Sequence, residues 1–169
     1  FGLFGINTGP CGDPDVMRNV SVAAENAGFE SLWTAEHVVL PDPQAPPSPA
    51  PPLQPFIHTC TALSFIAAAT DKILLGTGIT LIAQRNAVVL AKETASVDQL
   101  SKGRLLFGIG AGYLVQEFEA LGINFEERGA RTDEYIDAIR ELWTSPKPEF
   151  AGQFVNYKGI QSRPLAYQN

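Results

Sequence analysis

Little in this sequence is basic, rich in cysteine or continuously apolar, and each shortage removes a class of function. The 12 Lys plus Arg are outnumbered by 18 Asp plus Glu, giving a formal net charge of −6. No basic run occurs, whereas a nucleic-acid partner needs clustered Lys and Arg to displace counterions from phosphates. The cysteines number 2, Cys11 and Cys60, which is no disulfide framework and no metal-ligand spacing. The 2 histidines, His37 and His58, are too few for most zinc sites. Polar residues interrupt every apolar stretch well before the ~18 positions a membrane-crossing helix requires. No charged leader followed by an apolar segment and a small-residue cleavage site is visible. A reduced, cytoplasmic setting is the simplest reading of the thiols. The chain opens at Phe1, already inside an apolar run and without an initiator Met, and stops at Asn169 just after a Pro-containing turn, so both ends are expected to be cut.

What is present is a globular composition, 45% apolar and 18% charged over 169 residues, enough for one domain with a substantial core. FGLFGIN at the start reads as a buried strand. Asp13-Pro14 starts a helix, with a capping residue before a Pro in the first turn; Val16, Val20, Ala23, Ala24 and Ala27 keep helical spacing, and Gly28 stops it. Phe29 to Ala35 is a second strand, ending in Glu36-His37. Residues 41–55 hold 8 of the 13 prolines and exclude helix or central strand, because Pro lacks the N–H and clashes with a preceding turn. This stretch is either a surface loop or a lid over a site. Thr59 to Thr70 reads as a helix. Lys72 to Ile82 is a third strand, in which Gly76 and Gly78 suggest a bulge or close backbone approach. Asn86 caps a helix running to Leu100. Arg104 to Ile109 is a fourth strand leading into Gly110-Ala111-Gly112. A short helix holds Phe118 and Leu121, and a longer one spans about Ala130 to Trp143 with Tyr135, Ile136, Ile139 and Leu142 on one stripe. FAGQFVNY, 150–157, reads as a hairpin around Gly152.

Strands alternating with helices imply a parallel sheet, and continuous apolar strands imply that both faces are covered. Two α/β architectures fit: an open doubly wound sheet, or part of a (β/α)8 barrel. Gly108, Gly110 and Gly112 follow a strand and precede a helix. A dinucleotide fingerprint would place its third glycine at Tyr113 and an acid at the end of the next strand, and neither is there. Two readings remain: a flat ligand lies against this backbone, or the glycines relieve packing in a tight turn. Glu36-His37 closes the second strand, where a barrel would present residues to its site. His37 can exchange a proton near neutral pH beside a carboxylate. Adjacent residues on an extended strand face opposite ways, so only one of the pair can point directly into a site, and His37 is the favoured one; a polar strand end bonded to a loop is the alternative. His58 heads a helix and reads as a cap or an exposed residue. Arg128, Arg131, Asp133 and Glu134 read as a solvated helix start with local ion pairs, or as an anion site.

Five stretches together resemble the bacterial luciferase-like family, in its coenzyme F420-dependent oxidoreductase branch. They are AAENAGFESLWTAEHVVLP, LLGTGITLIAQRNAVVLAKETASVDQLSKGRL, FGIGAGYLVQEFEALG, ERGARTDEYIDAIRELWT and EFAGQFVNYKGIQSRP. The resemblance implies parallel (β/α) units forming the N-terminal half of a TIM (β/α)8 barrel over 1–169, with the Pro-rich loop 41–55 and a hairpin excursion at about 147–160. It implies an oxidoreductase that transfers hydride between coenzyme F420 and an unknown organic substrate. The alternatives are an FMN-dependent luciferase-like monooxygenase and an inactive half-barrel acting only in assembly. By position, His37 would be the catalytic acid-base group. Glu36, the Gly78-Ile79 bulge with a non-proline cis peptide, and Ala111, Gly112 and Tyr113 would line the cofactor pocket. Tyr113 stands where the glucose-6-phosphate-oxidising relatives carry Glu, so sugar chemistry is not implied. The expected partners are a small-molecule substrate and either a second copy or the missing half-barrel, with no nucleic acid and no membrane.

Overall fold

A computed structural model describes residues 1–168. Its sheet is parallel, in the order β1 (Gly2–Phe4), β2 (Ser31–Thr34), β3 (Leu74–Thr77), β5 (Leu105–Leu106). The third and fourth strands are each interrupted and resume as β4 (Thr80–Leu81) and β6 (Ile109–Gly110), which pair with each other in parallel. Between strands run α1 (Pro14–Asn26), α2 (Thr59–Ala67), α3 (Ala87–Leu100), α4 (Val115–Leu121) and α5 (Arg128–Thr144). A hairpin, β7 (Phe150–Ala151) with β8 (Asn156–Tyr157), follows.

The local signals act as their chemistry predicts. The Asp13 carboxylate accepts from the N–H groups of Asp15 and Val16, and Asn86 does the same for Val88 and Val89, satisfying donors at the helix starts that have no partner within the helix. The other end of α2 is closed by Arg104. Its guanidinium donates to the carbonyls of Ala67, Thr70, Ile73 and Ser101 and to the Thr70 hydroxyl, which ties the helix end to the entry of β5. One face of the sheet packs Leu32 and Leu75 against Met17 of α1 and Leu63 and Ile66 of α2. A second core joins α3, α5 and the hairpin through Leu90, Tyr135, Ile139, Leu142 and Tyr157. Burying a Leu or Ile side chain contributes about 1.5–3 kcal/mol, so these two clusters dominate the stability of the chain.

On the other face of the sheet the indole of Trp33 lies across its neighbours. A Cβ at Gly2 or Gly76, on the two flanking strands, would collide with that ring. Phe4 lies beside it, paired in register with Trp33, and is 64% exposed. The expected single third strand is therefore two pieces. Gly78 donates its N–H to the Thr34 carbonyl, the Gly78–Ile79 peptide is cis, and the Gly108 carbonyl accepts both the Thr77 hydroxyl (2.6 Å) and the Thr80 N–H (2.8 Å). The same glycine-containing bulge splits the fourth strand. The arginine cluster makes local contacts and also reaches the hairpin. Arg131 pairs with Glu127 and lies over Phe154, Arg128 lies over Phe125, and Glu134 accepts the consecutive N–H groups of Gln153, Phe154 and Val155.

Candidate active site

The carboxyl ends of the strands converge on a cavity of about 350 Å³, within the range of small-molecule sites. β1 contributes Phe4, the segment after β2 contributes Glu36 and His37, the bulge contributes Gly78 and Ile79, and the turn before α4 contributes Tyr113. The Pro-rich segment supplies the outer wall with Pro49, Ala50, Gln54 and Phe56. It is moored to the barrel end rather than loose. Thr8 donates to the Pro55 carbonyl (2.9 Å), Gln54 donates to the Thr8 hydroxyl (3.0 Å), and Ile57 donates its N–H to the Asn7 carbonyl (3.0 Å). Asn7 is fully buried, and its amide bonds Ala35 on both its oxygen and its nitrogen side, so the ends of β1 and β2 and the loop are held as one unit.

Glu36 and His37 both line the cavity, because β2 ends at Thr34 and the strict alternation of a strand no longer applies to them. Their side chains are engaged very differently. The Glu36 carboxylate, 3% exposed, pairs with Arg85 and accepts from the Thr59 hydroxyl and the Leu81 N–H. Arg85 also bonds His58, whose ring is held in its neutral form by burial first and by the adjacent guanidinium second. Glu36 is thus engaged by three protein donors and ties β2, β4 and α2 together. His37 is 9% exposed, with Nδ1 3.2 Å from Oε1 of Glu117 on α4 and its ring edge-on to Phe56 and Tyr113. Its Nε2 has no protein partner among the described residues, which leaves that nitrogen to a ligand in the cavity.

Neither Glu117 nor Arg85 is recognisable as a site residue from the sequence. Glu117 is separated from His37 by 80 positions and Arg85 from Glu36 by 49, so no local spacing reveals either pair. One signal was available: Glu117 falls on the apolar stripe of Leu114, Phe118 and Leu121, where an ionisable residue is out of place. Burying a carboxylate costs several kcal/mol after relaxation, and each hydrogen bond to a charged group returns about 1.5–3 kcal/mol. The arrangement therefore breaks about even for stability.

Of the remaining expected site residues, Gly78, Ile79 and Tyr113 line the cavity, whereas Ala111 and Gly112 do not. The glycine cluster has a packing account. A Cβ at Gly108 would strike the Thr77 carbonyl, at Gly110 the Ile79 side chain, and at Gly112, which has φ +87°, the Phe118 ring. Gly110 thereby lets Ile79 reach the cavity floor. The lining fits a flat, mostly apolar heterocycle: Ile79 (39% exposed), Tyr113 (49%) and Phe4 supply surface for a ring face, and His37 supplies one polar atom at its edge. Among the described residues no group of three or more His, Cys, Asp or Glu can hold a metal ion, and no helix is long and apolar enough to cross a membrane.

Residues 4–169 match the family model described as luciferase-like monooxygenase. The chain belongs to the luciferase-like monooxygenase family. An F420-dependent glucose-6-phosphate dehydrogenase of Kineococcus radiotolerans is 29% identical over 85% of this chain and 41% of its own length. A 5,10-methylenetetrahydromethanopterin reductase of Methanolobus tindarius is 29% identical over 94% of this chain and 43% of its own length. Among solved structures, the monooxygenase RslO1 from Streptomyces bottropensis is 29% identical and superposes with a TM-score of 0.77 over 98% of this chain and 50% of that one. The chain spans about half the length of the curated relatives it matches. The fold is thus the α/β fold of this family's TIM barrels, present as parallel (β/α) units that cover their N-terminal half, and the doubly wound alternative is excluded. The relatives named by activity include F420-dependent dehydrogenases, a methylenetetrahydromethanopterin reductase and monooxygenases.

Proposed function

We propose that this luciferase-like protein transfers hydride between coenzyme F420 and a small, largely apolar organic substrate, with His37 as the group that exchanges the proton. The observation that carries this reading is the free Nε2 of His37 at the edge of an apolar slot floored by Ile79. A reduced deazaflavin, when bound, supplies a hydride, and the protein supplies placement and a proton. Ile79, Gly78 and Tyr113 would hold the ring. Glu36, locked by Arg85, would keep the strand ends at fixed spacing beneath it. Hydride addition to a C=O or C=N carbon leaves a negative heteroatom, and His37 Nε2–H would donate to that atom. Phe56 and the Pro49–Ala50 wall exclude water and favour an uncharged substrate. Neither Lys nor Arg lines this cavity among the described residues, so no cationic side chain there would pair with a sugar phosphate.

The test uses the full-length protein without oxygen, with reduced F420 and a panel of ketones that includes cyclohexanone, following the return of oxidised F420. The expected result is protein-dependent oxidation that His37→Ala reduces by about 100-fold or more, the range general acid catalysis contributes. A His37→Ala variant that works at the wild-type rate would remove His37 from the chemistry. A second reading, an FMN-dependent monooxygenase, is favoured by the likeness to RslO1. Oxygen uptake with reduced FMN, together with no binding of F420, would establish it instead. The thiols and the free small-molecule cavity fit a cytoplasmic enzyme, and fractionation of the native cells would test that location.

A further inference from the structure

We infer that Glu117 is the positioning residue for His37: it fixes the ring's rotation and keeps hydrogen on Nδ1, so that Nε2 alone gains and loses the proton facing the cavity. This rests on the reading of His37 given above. Glu117 sits on α4, is 1% exposed and does not line the cavity, so it acts on a ligand only through another group. Its Oε1 lies 3.2 Å from His37 Nδ1 and accepts the Val38 N–H at 2.8 Å. One oxygen thereby grips both the ring and the backbone of the next residue, which leaves the imidazole no freedom to rotate. A carboxylate oxygen can only accept, so the ring nitrogen facing it carries the hydrogen in the neutral as well as the charged form. Nε2 is then a bare acceptor in one state and an N–H donor in the other.

Gln84 supplies an independent sign. It is 4% exposed, directs Nε2 at the other Glu117 oxygen at 3.3 Å, and leaves its own Oε1 buried with no partner. In this orientation the Gln84 amide gives the second Glu117 oxygen a donor, whereas a reversed amide would set oxygen against oxygen. Among the described residues the donors that face Glu117 are His37, Val38 and Gln84, and no Lys or Arg contacts it. Its one partner able to carry positive charge is His37. The network spans three elements: α4, the turn before α3, and the segment after β2.

The inference is tested on the full-length protein by 15N–1H NMR of labelled histidine, with the His37 signals assigned by their loss in His37→Ala. Wild-type protein with neutral His37 is expected to show hydrogen on Nδ1 and a bare Nε2. In Glu117→Ala the Nε2–H form should appear, and more than half of the Nδ1–H signal should be lost. Glu117→Gln is the variant that keeps the fold, because Gln84 can turn its unmatched oxygen toward the new amide; its Nδ1–H population should lie between the other two. An Nε2–H tautomer in the wild type, or identical tautomers in all three proteins, would overturn the inference. Either result is separate from activity. A His37→Ala enzyme that still oxidises reduced F420 with cyclohexanone would refute the proton-donor role while leaving the NMR result in place.

Discussion

At the residue scale, His37 was legible because a titratable side chain just past a strand end is a recognisable signal, whereas its partner was not. Contacts across 80 positions leave no periodicity. The glycines at 108, 110 and 112 left two readings open in the sequence, and the structure supplies the packing account for each. Gly108 is the most constrained of them, because a backbone carbonyl cannot move aside as a side-chain tip can. Gly108→Ala is expected to cost about 1–3 kcal/mol, as overpacking does, and thermal unfolding should register it as a lower midpoint. Gly129, where nothing lies within reach of a Cβ, is the control that should tolerate Ala. Cys60 carries a pH prediction. Burial pushes its thiol from 9.0 up to about 11. Below pH 9 both folded and unfolded chains keep the proton. Between about 9 and 11 only the unfolded chain loses it, so stability falls as pH rises through that window, by about 2–3 kcal/mol at most. Denaturant unfolding across those pH values should show the fall, and Cys60→Ala should flatten it.

At the scale of elements, helix starts were legible because they depend on side chains adjacent in sequence, and Asp13 and Asn86 both cap as expected. Strand continuity was less so. The runs 72–82 and 104–109 are each broken by a stitch between Thr77, Thr80 and the Gly108 carbonyl, which joins two strands and leaves no trace in either alone. The hairpin depends on a similar remote clamp. Burial opposes ionisation of Glu134, but the N–H groups of Phe154, Val155 and Gln153, with Arg131 nearby, outweigh it and hold the carboxyl below its usual range. A lowered carboxyl stabilises the fold above its ordinary pKa, and this contribution is lost as pH falls through the lower folded value. Glu134→Gln should speed hydrogen exchange at residues 153–155 and cost about 1 kcal/mol, allowing for solvent screening. Unchanged exchange there would mean that the turn holds itself.

At the scale of the whole molecule, β1 pairs only with β2, and β5 only with β3, among the described residues. Unpaired edges and exposed apolar residues drive association, and Phe4 on edge strand β1 is 64% exposed. Residues 1–169 produced alone are therefore expected to self-associate, with a mass in sedimentation equilibrium that rises with concentration and falls toward the monomer in Phe4→Lys. A monomer at every concentration would show that the edge is tolerated as it stands.

The order of strands and helices, the helix caps and the placement of a histidine at a strand end followed from the sequence by itself, since each rests on residues within a few positions of one another. Tertiary structure alone decided that Glu36 is consumed by Arg85, that His37 is gripped by Glu117, and that the proline-rich stretch forms a moored wall. Those pairings depend on distances across the barrel end, which are set by how the sheet curves and not by any neighbour along the chain.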